Sequence, residues 1–138
     1  MTIKYMEMDD EHFVLSIDRQ MTELSYKNRV QTKSGYVMWE NKERIGILHY
    51  SFLWDHLPFL NLIFVKESHR NKGFASQALS FWEADMKRQG YQMVLVSTQA
   101  DERAQFLYRK CGYIDCGALF FYDTPMDQPT ELFFRKNL

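Results

Sequence analysis

Apolar and polar positions sort this 138-residue chain into strands and helices before any chemistry is considered. Ile3 to Met6 reads as a short first strand. Asp9 or Asp10 then caps a helix, because a short acidic side chain accepts orphan amide bonds at a helix start. Val14, Ile17, Met21 and Leu24 follow at three- and four-residue steps and form one apolar face. Tyr36 to Glu40, the turn Asn41-Lys42-Glu43, and Arg44 to Trp54 read as strand, turn and long strand. Phe59 to Val65 (FLNLIFV) is almost continuously apolar, which predicts a strand buried on both faces. After the polar stretch Lys66 to Lys72, residues Ala75, Ala78, Leu79, Trp82 and Met86 share one helix face, and Gly90 closes that helix. Tyr91 to Thr98 is another apolar strand. Ala104, Leu107, Tyr108 and Cys111 form one stripe of a further helix ending at Gly112. Tyr113 to Tyr122 and Glu131 to Lys136 are the final strands.

The element order is βα(α)ββ, then βαβαββ. Phe59 to Thr98 is a strand-helix-strand unit, and such units are right-handed. The expected architecture is α/β: a twisted mixed sheet with helices on both faces, in a single domain spanning 1–138.

Composition narrows the function classes. Hydrophobic residues make up 46% and charged residues 25%, which excludes a disordered chain or a fibre. Seventeen Lys+Arg against 18 Asp+Glu leave a net charge of −1, without the basic footprint of a nucleic-acid binder. Cys111 and Cys116 make no disulfide framework and no zinc-like spacing, so reduced cysteines are expected. No signal-peptide stretch and no apolar run long enough for a membrane span is present, so a soluble, cytoplasmic protein is expected.

Two segments carry chemistry. The first, Val65-Lys-Glu-Ser-His-Arg70-Asn-Lys-Gly73-Phe-Ala75, is a strand, a polar loop and a helix start. A helix amino terminus offers unpaired amides and a partial positive charge, and small residues let an anion approach that backbone. Arg70 and Lys72 add formal charge, and His69 joins them when protonated. Neither G-x-G-x-x-G nor a Walker loop occurs. The second segment runs from Asp101 to Tyr113 and places Tyr108 on the apolar side of its helix. Such a phenol is either a core side chain or a proton donor aimed into a cleft.

In combination, R-x-x-G-x-A followed by D-x-x-A-x-x-L-Y-x-x-x-G-Y resembles the GNAT superfamily of N-acetyltransferases, clearly so over Phe59 to Tyr113. The resemblance implies acetyl-CoA as co-substrate, lying where Phe59–Val65 and Tyr91–Thr98 splay apart. It implies pantetheine contacts to the main chain at Ile63 and Val65. Pyrophosphate would lie on the amides from Arg70 through Asn71, Lys72, Gly73 and Phe74 to Ala75. Tyr108 matches the general acid that protonates the departing thiolate as a primary amine attacks the thioester. Asp101 stands where the family usually has Asn, and an ionised Asp accepts but cannot donate. Glu67 stands where many relatives have Pro.

Strand Phe59–Val65 carries no carboxylate where many relatives place a general base; Asn61 is its only polar side chain. Asp55, His56, His49 and Glu40 are the candidates. The acceptor, a small-molecule or peptide amine, would meet Phe52, Trp54, Phe120, Phe121 and Tyr122, with Asp55 and Asp123 attracting a cation. The alternative reading is an acyl-CoA-binding or sensor module without efficient turnover. No metal, nucleic acid or membrane is expected as partner. The exposed final strands offer pairing to a second copy as a homodimer.

Overall fold

The computed structural model describes residues 1–138. Seven strands form one mixed sheet: β1 Thr2–Tyr5, β2 Gly35–Glu40, β3 Glu43–Leu53, β4 Leu57–Val65, β5 Met93–Gln99, β6 Ile114–Leu119 and β7 Glu131–Asn137. Their order is β1-β2-β3-β4-β5-β7-β6. The pair β4–β5 is parallel, with Phe59 opposite Leu95, whereas β1–β2, β2–β3, β5–β7 and β6–β7 are antiparallel. Four helices accompany them: α1 Glu11–Ile17, α2 Glu23–Thr32, α3 Phe74–Arg88 and α4 Ala104–Lys110. This is the α/β class that the hydrophobic pattern predicts. The chain divides into two compact units, Met1–Ser51 with Asn61–Phe81, and Phe52–Leu60 with Trp82–Leu138.

In the first unit, Asn41 and Lys42 both adopt left-handed φ, 49° and 65°, as a tight turn between twisted strands requires. Strand alternation then splits the β2 side chains. Val37 joins Met6, Val14, Tyr26 and Ile47 in a buried cluster under α1 and α2. Tyr36 points the other way and meets Phe81 of α3 edge-on at 5.2 Å. Each such fully buried aliphatic residue contributes about 1.5–3 kcal/mol. Gly46 of β3 is required where it lies, because a Cβ there would collide with the carbonyl oxygen of Phe64.

Three expectations are corrected in this unit. The early apolar face does not belong to one helix. Asp18 leaves α1 in an extended conformation, its carboxylate accepts the Gln20 amide at 3.1 Å, and Thr22 caps α2 by accepting from the Ser25 amide at 3.1 Å. Leu24 consequently lies on the solvent side, 69% exposed. The caps also differ: Asp10 makes no side-chain cap on α1 but accepts from the Glu7 amide and from Arg44 Nε, both at 2.8 Å. Finally, β4 is not buried along both faces; Asn61 is exposed and Leu62 to Phe64 are half-buried.

In the second unit, β7 runs beside β5 from Glu131↔Gln99 to Asn137↔Met93. Phe134 is fully buried, and the Tyr108 ring of α4 lies 5.9 Å from it. Phe133 points the opposite way and stacks on Phe59 at 5.9 Å. Lys136 Nζ and the Tyr113 hydroxyl both donate to Glu83 of α3, at 2.7 and 2.9 Å. The expected strand Tyr113–Tyr122 is shorter, Ile114–Leu119, and all six of its residues are exposed.

Candidate active site

In the first unit the segment expected to bind an anion begins where β4 ends. Lys66 still pairs with β3, its amide donating to Ile45 O at 2.7 Å. A single 3-10 turn, Glu67–His69, follows. Asn71 and Gly73 then adopt left-handed φ, 61° and 82°, and reverse the chain into α3. Such φ is costless only for glycine. The first bond of α3 runs from the Gln77 amide to Gly73 O at 3.1 Å, so the amides of Gly73, Phe74 and Ala75 precede the intrahelical ladder. A Cβ built on Gly73 would meet only Gln77 Nε2, at 4.0 Å, so the backbone of this turn is open to a ligand.

The charged side chains of that turn are disposed unequally. Arg70 folds back: its Nε donates to Val65 O at 2.8 Å, its amide to Glu67 O at 3.2 Å, and its guanidinium lies 5.4 Å from the Phe64 ring. Lys72 is exposed, and His69 shares a hydrogen bond with Ser68 Oγ at 2.8 Å. Upstream on β4, Ile63 is half-buried and Val65 buried. Asn61 accepts from Ser51 Oγ at 3.1 Å.

Two of the candidate bases lie in this unit. His49 is buried, and its Nε2 donates to Asp18 Oδ2 at 2.9 Å. The other oxygen of Asp18 already holds the Gln20 amide, so the carboxylate is oriented and the His49 Nδ1 is left a bare acceptor. Burial, and next the Arg29 guanidinium, push this imidazole down to about 4. Arg29 in turn donates to the Tyr50 carbonyl. Sequence reading named His49 but missed Asp18 and Arg29, which are 31 and 20 residues away and share no local pattern with it. Glu40 lies 3.6 Å from the amino group of Met1.

In the second unit Tyr108 is 4% exposed, with Tyr113 and Phe134 at 5.8 and 5.9 Å. Burial, and then the Glu102 and Glu131 carboxylates, push its phenol above the ordinary tyrosine value, so it stays protonated at neutral pH. Its carbonyl accepts the Tyr113 amide at 3.0 Å, and the Gly112 amide donates to Arg109 O at 3.1 Å, with Gly112 at φ 91°. That is the Schellman closure of a helix, and it explains why a glycine and an aromatic follow the tyrosine at four and five positions. Asp101 lies exposed in the turn before α4, and the residue at the helix N-cap is Arg103. Asp55 and His56 occupy the β3–β4 turn, where Trp54 and Asp55 take φ of 53° and 65° and His56 Nδ1 donates to Trp54 O at 2.7 Å. Phe52 pairs with Tyr91 at 5.3 Å, whereas Trp54, Phe120 and Tyr122 are exposed.

Comparison with known proteins decides the family. The sequence model of the acetyltransferase (GNAT) family matches residues 4–113. The chain belongs to the GNAT acetyltransferase family. No curated protein matches this GNAT chain in sequence. Solved structures do resemble it in fold. Ard1 from Thermoplasma volcanium superposes with a TM-score of 0.85 at 18% identity, over 99% of this chain and 97% of that one. The ribosomal-protein-alanine N-acetyltransferase from Brucella melitensis gives 0.83 at 18% identity, over 100% of both chains. A GNAT acetyltransferase from Elizabethkingia anophelis, solved with acetyl-CoA bound, gives 0.76 at 21% identity, over 99% and 97%.

Proposed function

We propose that this acetyltransferase moves the acetyl group of acetyl-CoA directly to a primary amine, and that Tyr108 protonates the departing thiolate. The observation that carries the reading is the Gly73 turn: a left-handed glycine, open on its outer side, delivers three successive amides to the amino end of α3. Amides so disposed suit a diphosphate, because the helix end supplies both donors and partial positive charge. Asn71 to Ala75 would hold that group through main-chain atoms, with Lys72 as the free cation. Arg70 would act mainly by bracing the end of β4, since its Nε is engaged with Val65. Ile63 and Val65 would meet the pantetheine arm through their main chain. Asp101 would serve as an acceptor.

Tyr108 suits the acid role in that its phenol is neutral at working pH and so carries a proton to give, although burial makes it a weaker acid than an ordinary tyrosine. The attacking amine must be neutral, and β4 offers only Asn61, tied to Ser51, in place of a carboxylate. His49 is a weak base at about 4, so the acceptor's own proton would leave to water or to an exposed carboxylate. The acceptor class is an amine on a small molecule or peptide. A catalytically weak acyl-CoA-binding module is the second reading, favoured by that same missing carboxylate.

Calorimetry with acetyl-CoA, followed by thiol release across an amine panel, tests both. Binding with amine-dependent thiol release supports the transferase. Binding without release under any amine selects the sensor, and no binding overturns both.

A further inference from the structure

Polar groups line one face of β3 and β4 in the first unit, and none of them is placed to take a proton from an ammonium. Strand alternation puts Ile47, His49 and Ser51 on the same side of β3, and Ile47 belongs to the cluster under α1 and α2. Ser51 Oγ donates to Asn61 Oδ1 at 3.1 Å, which carries the row onto β4. An amide and an alcohol are not bases near neutral pH. His49, the one titratable member of the row, is 3% exposed, and its Nε2 is bound to Asp18 Oδ2 at 2.9 Å. Burial opposes charging it, and the Arg29 cation opposes it further. The carboxylates on β2, β3 and the α1–α2 connection are engaged as well: Glu40 with the Met1 amino group at 3.6 Å, Glu43 with Lys66 at 2.9 Å, and Asp18 with His49 and the Gln20 amide. In the second unit Asp55 and His56 lie in the exposed β3–β4 turn, where His56 Nδ1 is already bonded to Trp54 O at 2.7 Å.

We propose that the enzyme selects its acceptor by basicity: it acetylates weakly basic primary amines, α-amino groups above all, and discriminates against lysine side chains and polyamines. The inference rests on the acetyl-transfer reading and goes beyond it by naming the class of amine. Attack requires a lone pair, and an ammonium has none. The nitrogen pair forms the C–N bond, the C–S bond breaks with its pair on sulfur, and Tyr108 supplies the sulfur proton. The proton leaving nitrogen goes to water, and water returns one to Tyr108, so amine and thioester become amide and thiol. With water as the only base for the ammonium, the reactive population is the fraction of acceptor already neutral. An α-amino group, with pKa about 8, is about one-tenth neutral at about pH 7, whereas a lysine amine, with pKa about 10.4, is below about 0.1% neutral. Asn61 sets this preference, because a carboxamide at the polar position of β4 neither takes the ammonium proton nor neutralises its charge.

The test is kcat/KM from thiol release, measured against pH for two sets of acceptors. In the first, ethylamine and its mono-, di- and trifluoro derivatives change basicity stepwise at nearly constant shape. The rising limb of each profile should follow the free amine's own pKa, and neither His49→Gln nor His56→Gln should move it. In the second set, alanine amide should exceed Nα-acetyl-lysine amide and diaminobutane about 10²-fold at about pH 7, with the ratio shrinking as pH rises. Asn61→Asp, which supplies a carboxylate on β4, should narrow that ratio about tenfold. The fluoroamine profiles of the wild type decide the matter even where that variant fails to fold. A limb fixed at one pH for every amine, a limb that shifts in either histidine variant, a lysine derivative that matches alanine amide, or a ratio unchanged in a folded Asn61→Asp overturns the proposal and leaves the transfer reading intact. No thiol release with any of these amines overturns both.

Discussion

The Gly73 turn and helix α4 both lie in the stretch that matches the family, yet they would hold their proposed chemistry in opposite ways. The turn lies at the surface, and the atoms proposed to act there are backbone amides that follow two left-handed residues, Asn71 and Gly73. Helix α4 holds one side chain, Tyr108, almost wholly inside the core among aromatic rings. A site made of backbone tolerates most side-chain changes but not a change of φ. A site made of a buried side chain tolerates neither loss of volume nor loss of its one polar atom.

The largest effect that sharpens this contrast is Tyr108→Ala. It empties a packed position, and urea unfolding should show a loss of about 3–5 kcal/mol. Tyr108→Phe separates packing from chemistry: stability should stay within about 1 kcal/mol, acetyl-CoA binding should persist, and kcat should fall about 10²-fold or more. An unchanged kcat would remove Tyr108 from the reaction.

A second buried side chain tests whether burial itself sets the sensitivity. His49 titrates at about 4 in the folded chain against an ordinary 6.5, so between these values the unfolded chain binds the extra proton. Its contribution to stability is complete above pH 6.5 and lost as pH falls toward 4, by at most about 1.4 kcal/mol per pH unit. Urea midpoints across that window should drop in the wild type and drop less steeply in His49→Gln.

On the backbone side, Gly73→Val should cost about 1–2 kcal/mol of stability, the price of left-handed φ for a side-chain-bearing residue. Calorimetry should show acetyl-CoA binding weakened by more than that cost to the fold implies. Equal affinity would mean that the turn does not cradle the diphosphate. The smallest expected effect is Lys72→Ala: under about 1 kcal/mol in affinity, shrinking further with added salt, and none in thermal stability.

Legibility follows the same division. The Tyr108–Gly112–Tyr113 motif was readable because each bond that explains it closes within five residues. At Gly73 the sequence showed only a small residue at a helix start where an anion could approach; the left-handed φ of Asn71 and Gly73 came from the structure. The strand pattern located β2 to β5 to within two residues at their ends, and the Asn41-Lys42 turn exists as expected. The break between α1 and α2 was missed because Val14, Ile17, Met21 and Leu24 keep helical spacing across it. The stop comes from Asp18, whose carboxylate is claimed at once by Gln20 and by His49 of β3.

By itself, then, the amino-acid order determined the elements, their sequence along the chain and the two family motifs, since hydrophobic period, caps and glycine turns act over a few residues. Only the tertiary structure decided which side chains are spent on the fold. Arg70 turns back to Val65, Asp101 leaves the N-cap to Arg103, and the Asp18–His49–Arg29 cluster forms across distant segments. The exposure of β6 belongs to the same class, since an edge exists only once the sheet has an order. The reason is one of range: burial and charge pairing depend on neighbours brought together by the fold, and no local window of sequence contains them.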